Sequence, residues 1–594
     1  MSTSGPHTRK LTVIAQDPSF LGPDGRIVRT QVEITAEDLQ PGPWGYRVQV
    51  VDWDESAGKL YLPGEYPPPV NGHYPDPFEN EPDERLLEDP RFHQQNAYAL
   101  VMRTLMRFEH ALGRRISWSF GRHQLKVAPH AFGDANAYYA RREEALLFGY
   151  FPKQDGIVYA CLSHDVVVHE TTHALLDALR FRFMEPSSPD QAAFHEGFAD
   201  IVALLSVFSL PDVVAAGLRR GIAAGVPENM VPEDALAPGA LRASVLLSLA
   251  EEMGSEMSAI RGRPLRQSAQ LDRNPAYYLE DPEFLAAHRR GEILVAAILN
   301  TFIEVWSARV NGLRTVADGM LDRERVVEEG AGAADYLMTM AIRALDYVPP
   351  VHLEFADFLT AMLTADAEIR PDDSRYNFRE HLRRTFAAYG IYPVRSSERG
   401  DAAVPRARRR RSPAFPPGAA PEPGSWVPCR HLALSYDRTH FEPMLRDPDE
   451  VFRFVWENRV ELGVFDGALS QVASVRPCLR VGPDGFVLRE TVAEFVQQLE
   501  LRASELRRLR IRAPQGMPPD EKVVLFGGAT LVFDEYGRLK FYIHNALDGE
   551  RQTARLAHQW NSGEWDDSSA GVSPFAELHL MRITDAAANV LEEW

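Results

Sequence analysis

Only three of the 594 residues are cysteine, at positions 161, 429 and 478. They are too few and too far apart for a disulfide framework, which fits a reducing compartment. Each is expected to be a small buried side chain rather than a reactive thiol. No run of about 18 apolar residues occurs, so no membrane span is expected. The apolar piece at 11–15 is too short for a signal-peptide core. The expected address is therefore cytoplasmic, with export by a leaderless route left open. Positive charge is also scarce: 64 Lys and Arg against 84 Asp and Glu give a formal charge of −20. That balance argues against a specific nucleic-acid partner. No internal repeat stands out.

What is present is an ordinary globular composition, spread over more residues than one typical core accommodates, so two to four domains are expected. Residues 1–85 alternate apolar and polar positions in short runs and read as a β-rich N-terminal portion. Its strands are followed by an irregular stretch over 63–90 dense in Pro, Asp and Glu. From Arg91 the spacing turns helical, with Phe92, Ala97, Leu100, Val101, Leu105 and Phe108 on one face. Strand-like pieces follow at 116–120 and 124–127, and helices dominate 165–388. The domain so delimited is 86–392. Residues 393–425 form a linker rich in Pro and Arg. Its basic run at 406–411 is read as solvated linker. Residues 426–594 read as a separate C-terminal α/β domain whose role is not legible. It carries an amphipathic helix over 491–509 and a hairpin joining 529–533 to 539–543. The fold class is α+β.

The chemistry concentrates at residues 169–173, His-Glu-Thr-Thr-His, inside a run from 165 to 179 that lacks Gly and Pro. A helix places His169 and His173 on one face, where both imidazoles reach one metal ion. A catalytic zinc takes three protein ligands and leaves one position open for water, whose pKa it lowers toward ~7. Glu170 is placed to act on that water as general base. Glu196 is the natural third ligand. Asp200, one turn later, is placed to accept the second N–H of a ligand imidazole. His164 and His195 flank these motifs and read as packed or surface histidines, because the ligand set is complete without them.

With these motifs placed, residues 91–392 resemble the thermolysin-like zinc metallopeptidases, the glutamate zincins. Residues 92–106 are similar to the family's first long helix, and Asn136-Ala-Tyr-Tyr139 to its edge strand. Residues 333–347 and 355–363 resemble helices of its C-terminal lobe, and 379–390 its closing helix. The resemblance implies a two-lobe peptidase: an N-terminal α/β lobe with the zinc helix, a helical lobe, and the cleft between them. Carried over by motif, it makes His169, His173 and Glu196 the ligands of one Zn2+, Glu170 the base and proton shuttle, and Asp200 the partner of His169. Asn136 and Ala137 would bind substrate, since an extended peptide adds to an open sheet edge. His288 matches the histidine that stabilises the oxyanion, with Glu283 placed to orient it. Arg266 resembles the arginine that holds a substrate carbonyl.

The chain also departs from this family. No Tyr lies between His173 and Glu196, so one oxyanion donor is missing or comes from elsewhere. Asp165 keeps the position of a calcium ligand, but Val207 stands where an acidic partner is expected, so structural Ca2+ is not expected. No long inhibitory propeptide is read, and the added C-terminal domain offers a place for a regulatory partner. The expected activity is zinc-dependent endopeptidase action on a peptide or protein substrate. Two other readings stay open. One is a binding or scaffold protein that keeps zinc structurally, which the intact Glu170 opposes. The other is an aminopeptidase-type zinc exopeptidase, for which no Gly-x-Met-Glu-Asn element is found.

Overall fold

Asp89 opens the first long helix: its carboxylate accepts from the Arg91 amide at 3.0 Å, and Pro90, which has no N–H to leave unpaired, fills the first turn. In the computed structural model this helix is α1, Pro90–Leu112, ended by Gly113 in the left-handed region at φ 68°. The structure describes residues 7–153, 156–184, 187–222, 225–242, 268, 271–313, 315, 319–394, 422–429, 432–437, 439–482 and 485–561. Helices and strands are both abundant, and the chain is α+β.

Alternation builds the N-terminal strands. β1 (Thr8–Ile14) pairs antiparallel with β2 (Arg29–Thr35), Leu11 opposite Val32, and both strands pack on α1. Four segments make the main sheet: β3 (Val48–Val50), β4 (Leu125–Phe132), β5 (Ala137–Ala140) and β6 (Ala145–Lys153). Their order is β3-β4-β6-β5, with β3, β4 and β6 parallel and β5 antiparallel at the end. β7 (Gly156–Tyr159) also pairs with β6. Because β3 enters this sheet with Val48 opposite Leu125, the boundary expected at residue 85 does not separate two cores. A three-residue strand has too little surface to be stable alone and is held by the sheet it joins. The strand expected over 116–120 is not formed. Ile116 and Trp118 are buried, but the Ile116 N–H donates to Glu109 at 3.0 Å and its carbonyl accepts from Arg47, so side chains satisfy this backbone.

The helical part follows: α2 (His164–Leu179), α3 (Pro189–Phe208), α4 (Ala287–Val310), α5 (Arg323–Ala344), α6 (Phe355–Ile369) and α7 (Phe378–Ala387). α3 begins well before Glu196. Ser188 caps it by accepting from the Gln191 N–H at 3.1 Å, with Pro189 in the first turn, so Glu196 sits two turns inside. α3 and α4 cross at two glycines. A Cβ on Gly197 would meet the Gly291 carbonyl oxygen at 3.0 Å, and one on Gly291 would meet the Ala193 carbonyl oxygen at 3.1 Å. Gly291→Val is therefore expected to destabilise the protein by about 1–3 kcal/mol through overpacking. Urea unfolding reads this; an unchanged midpoint would mean the crossing relaxes freely.

Among the described residues, α4 alone is a single helix long and apolar enough to cross a membrane; α3 and the segment Pro211–Arg219 pass only as a pair bent by 78°. The most apolar stretch of α4 is 89% buried within the protein, as befits a core helix.

The C-terminal sheet contains β8 (Leu469–Val481), β9 (Val487–Arg502), β10 (Lys522–Phe533) and β11 (Leu539–Asn545), antiparallel and in chain order. The expected hairpin forms, closed by the Asp534 N–H on the Arg538 carbonyl at 2.9 Å. The helix expected over 491–509 does not. Residues up to Arg502 belong to β9, and only Ala503–Leu509 coil into a 3-10 turn. Residues 490–497 are buried on both faces of the sheet, so apolar and polar side chains do not alternate, and Val492, Phe495 and Val496 fall at a helical spacing. This sheet shares the main core through Trp426, Val532, Phe541 and Ile543. Gly113 permits its close approach: the Leu479 N–H donates to the Gly113 carbonyl at 2.9 Å, and a Cβ there would lie 2.3 Å from the Leu479 oxygen. A buried ion network seals the contact. Arg114 grips both oxygens of Asp346 at 2.5 and 2.7 Å, Arg480 bridges Asp346 and Glu490, and Tyr347 donates to Glu490 at 2.5 Å. Of the expected linker at 393–425, residues 395–421 lie outside the described residues.

Candidate active site

One turn of α2 brings two imidazoles together: His169 Nε2 and His173 Nε2 lie 2.9 Å apart, with their rings at 89°. α3 packs on α2 so that Glu196 faces both. Its carboxylate oxygens lie 3.6 Å from His169 Nε2 and 3.7 Å from His173 Nε2. Ligand atoms about 2.1 Å from a tetrahedral ion lie ~3.4 Å from each other, so these three side chains, with one Glu196 oxygen facing each imidazole, are close enough to share one zinc-sized ion. All three side chains are buried, and two imidazoles with one carboxylate form a donor set suited to catalytic zinc.

The outer ring nitrogens are also engaged. His169 Nδ1 lies 2.8 Å from Asp200 Oδ1, the pairing expected from the sequence. His173 Nδ1 lies 2.8 Å from His195 Nδ1. With Nε2 turned toward a metal, each Nδ1 carries the proton and donates outward. His195 can accept as a neutral ring: burial pushes its pKa down to about 3, against the opposing pull of Glu196. His195 was expected to be a packed or surface histidine. It is packed as expected, stacking on His173 with centroids 4.9 Å apart, and it also orients that ring. His195→Ala is expected to weaken zinc affinity by roughly 10–100-fold. Competition with a chromophoric chelator measures this, and unchanged affinity would reduce the contact to packing. His164 is packed as expected, its Nε2 2.9 Å from Ser206 Oγ. Asp165 accepts from the Ser163 hydroxyl at 2.5 Å at the start of α2.

Glu170 is buried, and its Oε2 accepts from the Tyr139 amide at 3.1 Å. Tyr139 lies on β5, which pairs only with β6 among the described strands, so the outer edge of the main sheet meets the zinc-motif helix at Glu170. Asn136 and Ala137 head that edge. The Asn136 Oδ1 accepts from the Ala137 N–H at 2.8 Å, and its carbonyl accepts from the Gly149 N–H at 2.8 Å. Ala137 sits opposite Phe148 in the ladder.

His288 lies in the first turn of α4, and its Nδ1 is 3.4 Å from Glu196 Oε2. The glycine crossing of α3 and α4 explains the approach, because Gly197 follows Glu196 and Gly291 comes one turn after His288. Glu283 is an exposed carboxylate that accepts from Arg289 Nε at 3.0 Å, so its partner is Arg289 and not His288. Glu292, one turn beyond His288, escaped the sequence reading. Burial pushes its carboxyl up to about 8 against the pull of its partner Arg289, and Asp200 adds to the rise. Arg266 lies outside the described residues. No protein-family model matches this chain, and no curated protein matches it.

Proposed function

We propose that the chain is a zinc-dependent endopeptidase of the thermolysin-like, two-lobed type. The observation that carries this reading is Glu170, a buried carboxylate whose ligand atom lies within 4.8 Å of those of His169 and His173. A purely structural zinc site is closed by protein ligands and has no need of a base beside it. His169, His173 and Glu196 would hold the ion, which when bound supplies a Lewis acid for the scissile carbonyl and an acidified water. Glu170 takes the proton of the attacking water and delivers it to the departing amine. The Tyr139 amide fixes the carboxylate in that direction. His288 stands beside Glu196 and offsets charge that develops on the carbonyl oxygen only in the transition state. Asn136 and Ala137 lead the edge along which an extended peptide would add as a further strand. Contacts of α2 with β5 of the main sheet and with α3 of the helical part support the two-lobe reading.

The test is incubation of the zinc-loaded full chain with a quenched fluorescent peptide library. Cleavage at internal bonds, stopped by a chelator and restored by zinc, is the expected result. Release of N-terminal residues alone would favour the aminopeptidase reading. Absence of cleavage with zinc bound would favour the scaffold reading.

A further inference from the structure

A second group of metal-ligating side chains lies away from the helix motif. His93 on α1, His130 on β4 and Cys161 in the turn Ala160–Leu162 bring their ligand atoms within 4.8 Å of one another, and all three are buried. His93 Nδ1 lies 2.8 Å from His130 Nε2. The outward nitrogens are committed. His93 Nε2 lies 2.9 Å from the Leu87 carbonyl, and His130 Nδ1 lies 3.0 Å from both oxygens of Asp52. Each outward nitrogen therefore carries the N–H, and a neutral imidazole has only one. With both rings neutral, two lone pairs face each other at hydrogen-bond distance with no proton between them. A cation resolves that conflict, and the arrangement repeats the facing Nε2 pair of His169 and His173 at 2.9 Å.

We propose that His93, His130 and Cys161 hold a second transition-metal ion, zinc or cuprous copper, separate from the His169–His173–Glu196 centre. Two imidazoles and a thiolate suit these soft or borderline metals and not Ca2+ or Mg2+. A carbonyl and a carboxylate on the outer ring nitrogens are the partners that orient metal-binding histidines. Asp52 is itself fixed, accepting from Gln94 Nε2 at 2.9 Å and the His130 amide at 3.2 Å. The rings of Tyr159 and Tyr61 wall the group, with centroids 4.6 Å from His93 and 4.6 Å from His130 respectively. The ion would tie α1 and β4 to the turn that leads into α2, where Asn96 already donates to the Cys161 carbonyl at 2.8 Å. It would thus brace the start of the helix that bears His169 and His173. The competing arrangement is a His130 imidazolium, paired with Asp52, that donates to His93 without any metal.

Cobalt titration of the full chain separates the two. The proposal expects two equivalents bound, one of them giving near-ultraviolet sulfur-to-cobalt charge-transfer absorption, which a His-His-Glu site has no thiolate to produce. The double variant His169→Ala/His173→Ala is expected to lose one equivalent and keep the band. Cys161→Ser is expected to lose the band and the other equivalent; if it does not fold, the double variant carries the test alone. A saturated wild-type protein without the band, or a band that survives in folded Cys161→Ser, would overturn the site. Metal analysis of the protein as purified then tells zinc from copper.

Discussion

Glu170→Gln is expected to lower peptide turnover by roughly 10²–10⁴-fold, the contribution of a positioned general acid–base group, at unchanged zinc content. The substitution keeps shape and an oxygen that accepts from the Tyr139 amide, so the sheet edge and α2 stay in register. The ligand atoms of His169, His173 and Glu196 do not depend on it. What is lost is a site for the proton. The comparison is kcat/KM on one cleaved peptide with zinc measured in the same samples. Wild-type turnover in the variant would move the base elsewhere. Loss of zinc with loss of turnover would make Glu170 a ligand and weaken the enzymatic reading.

Asp346→Ala should unfold the protein more easily by about 3–5 kcal/mol, the cost of stranding buried charges. Arg114 and Arg480, 8% and 0% exposed at the side chain, both lose their shared carboxylate. Burial alone would raise the Asp346 pKa, but Arg114 and Arg480 together hold it well below the ordinary carboxylate range. A depressed folded pKa contributes stability that is complete above the unfolded value of about 3.9. That stability is lost as pH falls through the folded value, so this contact weakens only in strongly acid solution. Urea unfolding of the variant, with hydrogen exchange in β8 to β11, measures both effects. An unchanged midpoint would mean that apolar contacts alone dock the C-terminal sheet. Because Trp426, Val532, Phe541 and Ile543 share the main core, removing everything after α7 would also expose apolar surface there.

How far the sequence was legible follows from the range of the interactions. His169, Glu170 and His173 were legible because one helical turn determines their relation, and Glu196 and Asp200 for the same reason within α3. His195 was not. Its role depends on how α2 and α3 pack, which residue spacing does not encode. His288 was reached only through resemblance, and its approach to Glu196 depends on two glycines on different helices. Glu283 failed because Arg289, only one residue beyond His288 in sequence, takes its carboxylate. β9 was misread as helix because burial on both faces hides the two-residue period of a strand. Val48 pairs with Leu125 across a separation that no local pattern marks, which is why the division at residue 85 was drawn. His93, His130 and Cys161 lie on three elements at no recognisable spacing, and only the packing of α1 against the main sheet joins them.

The most direct measurement is anomalous diffraction at the zinc edge from crystals of the full chain grown with zinc. The expected result is a peak about 2.0–2.2 Å from His169 Nε2, His173 Nε2 and a Glu196 oxygen, with Glu170 beside the ion and outside its ligand set. No peak there at saturating zinc, or a peak closed by Glu170 as a fourth ligand, would contradict a catalytic metal centre at this site.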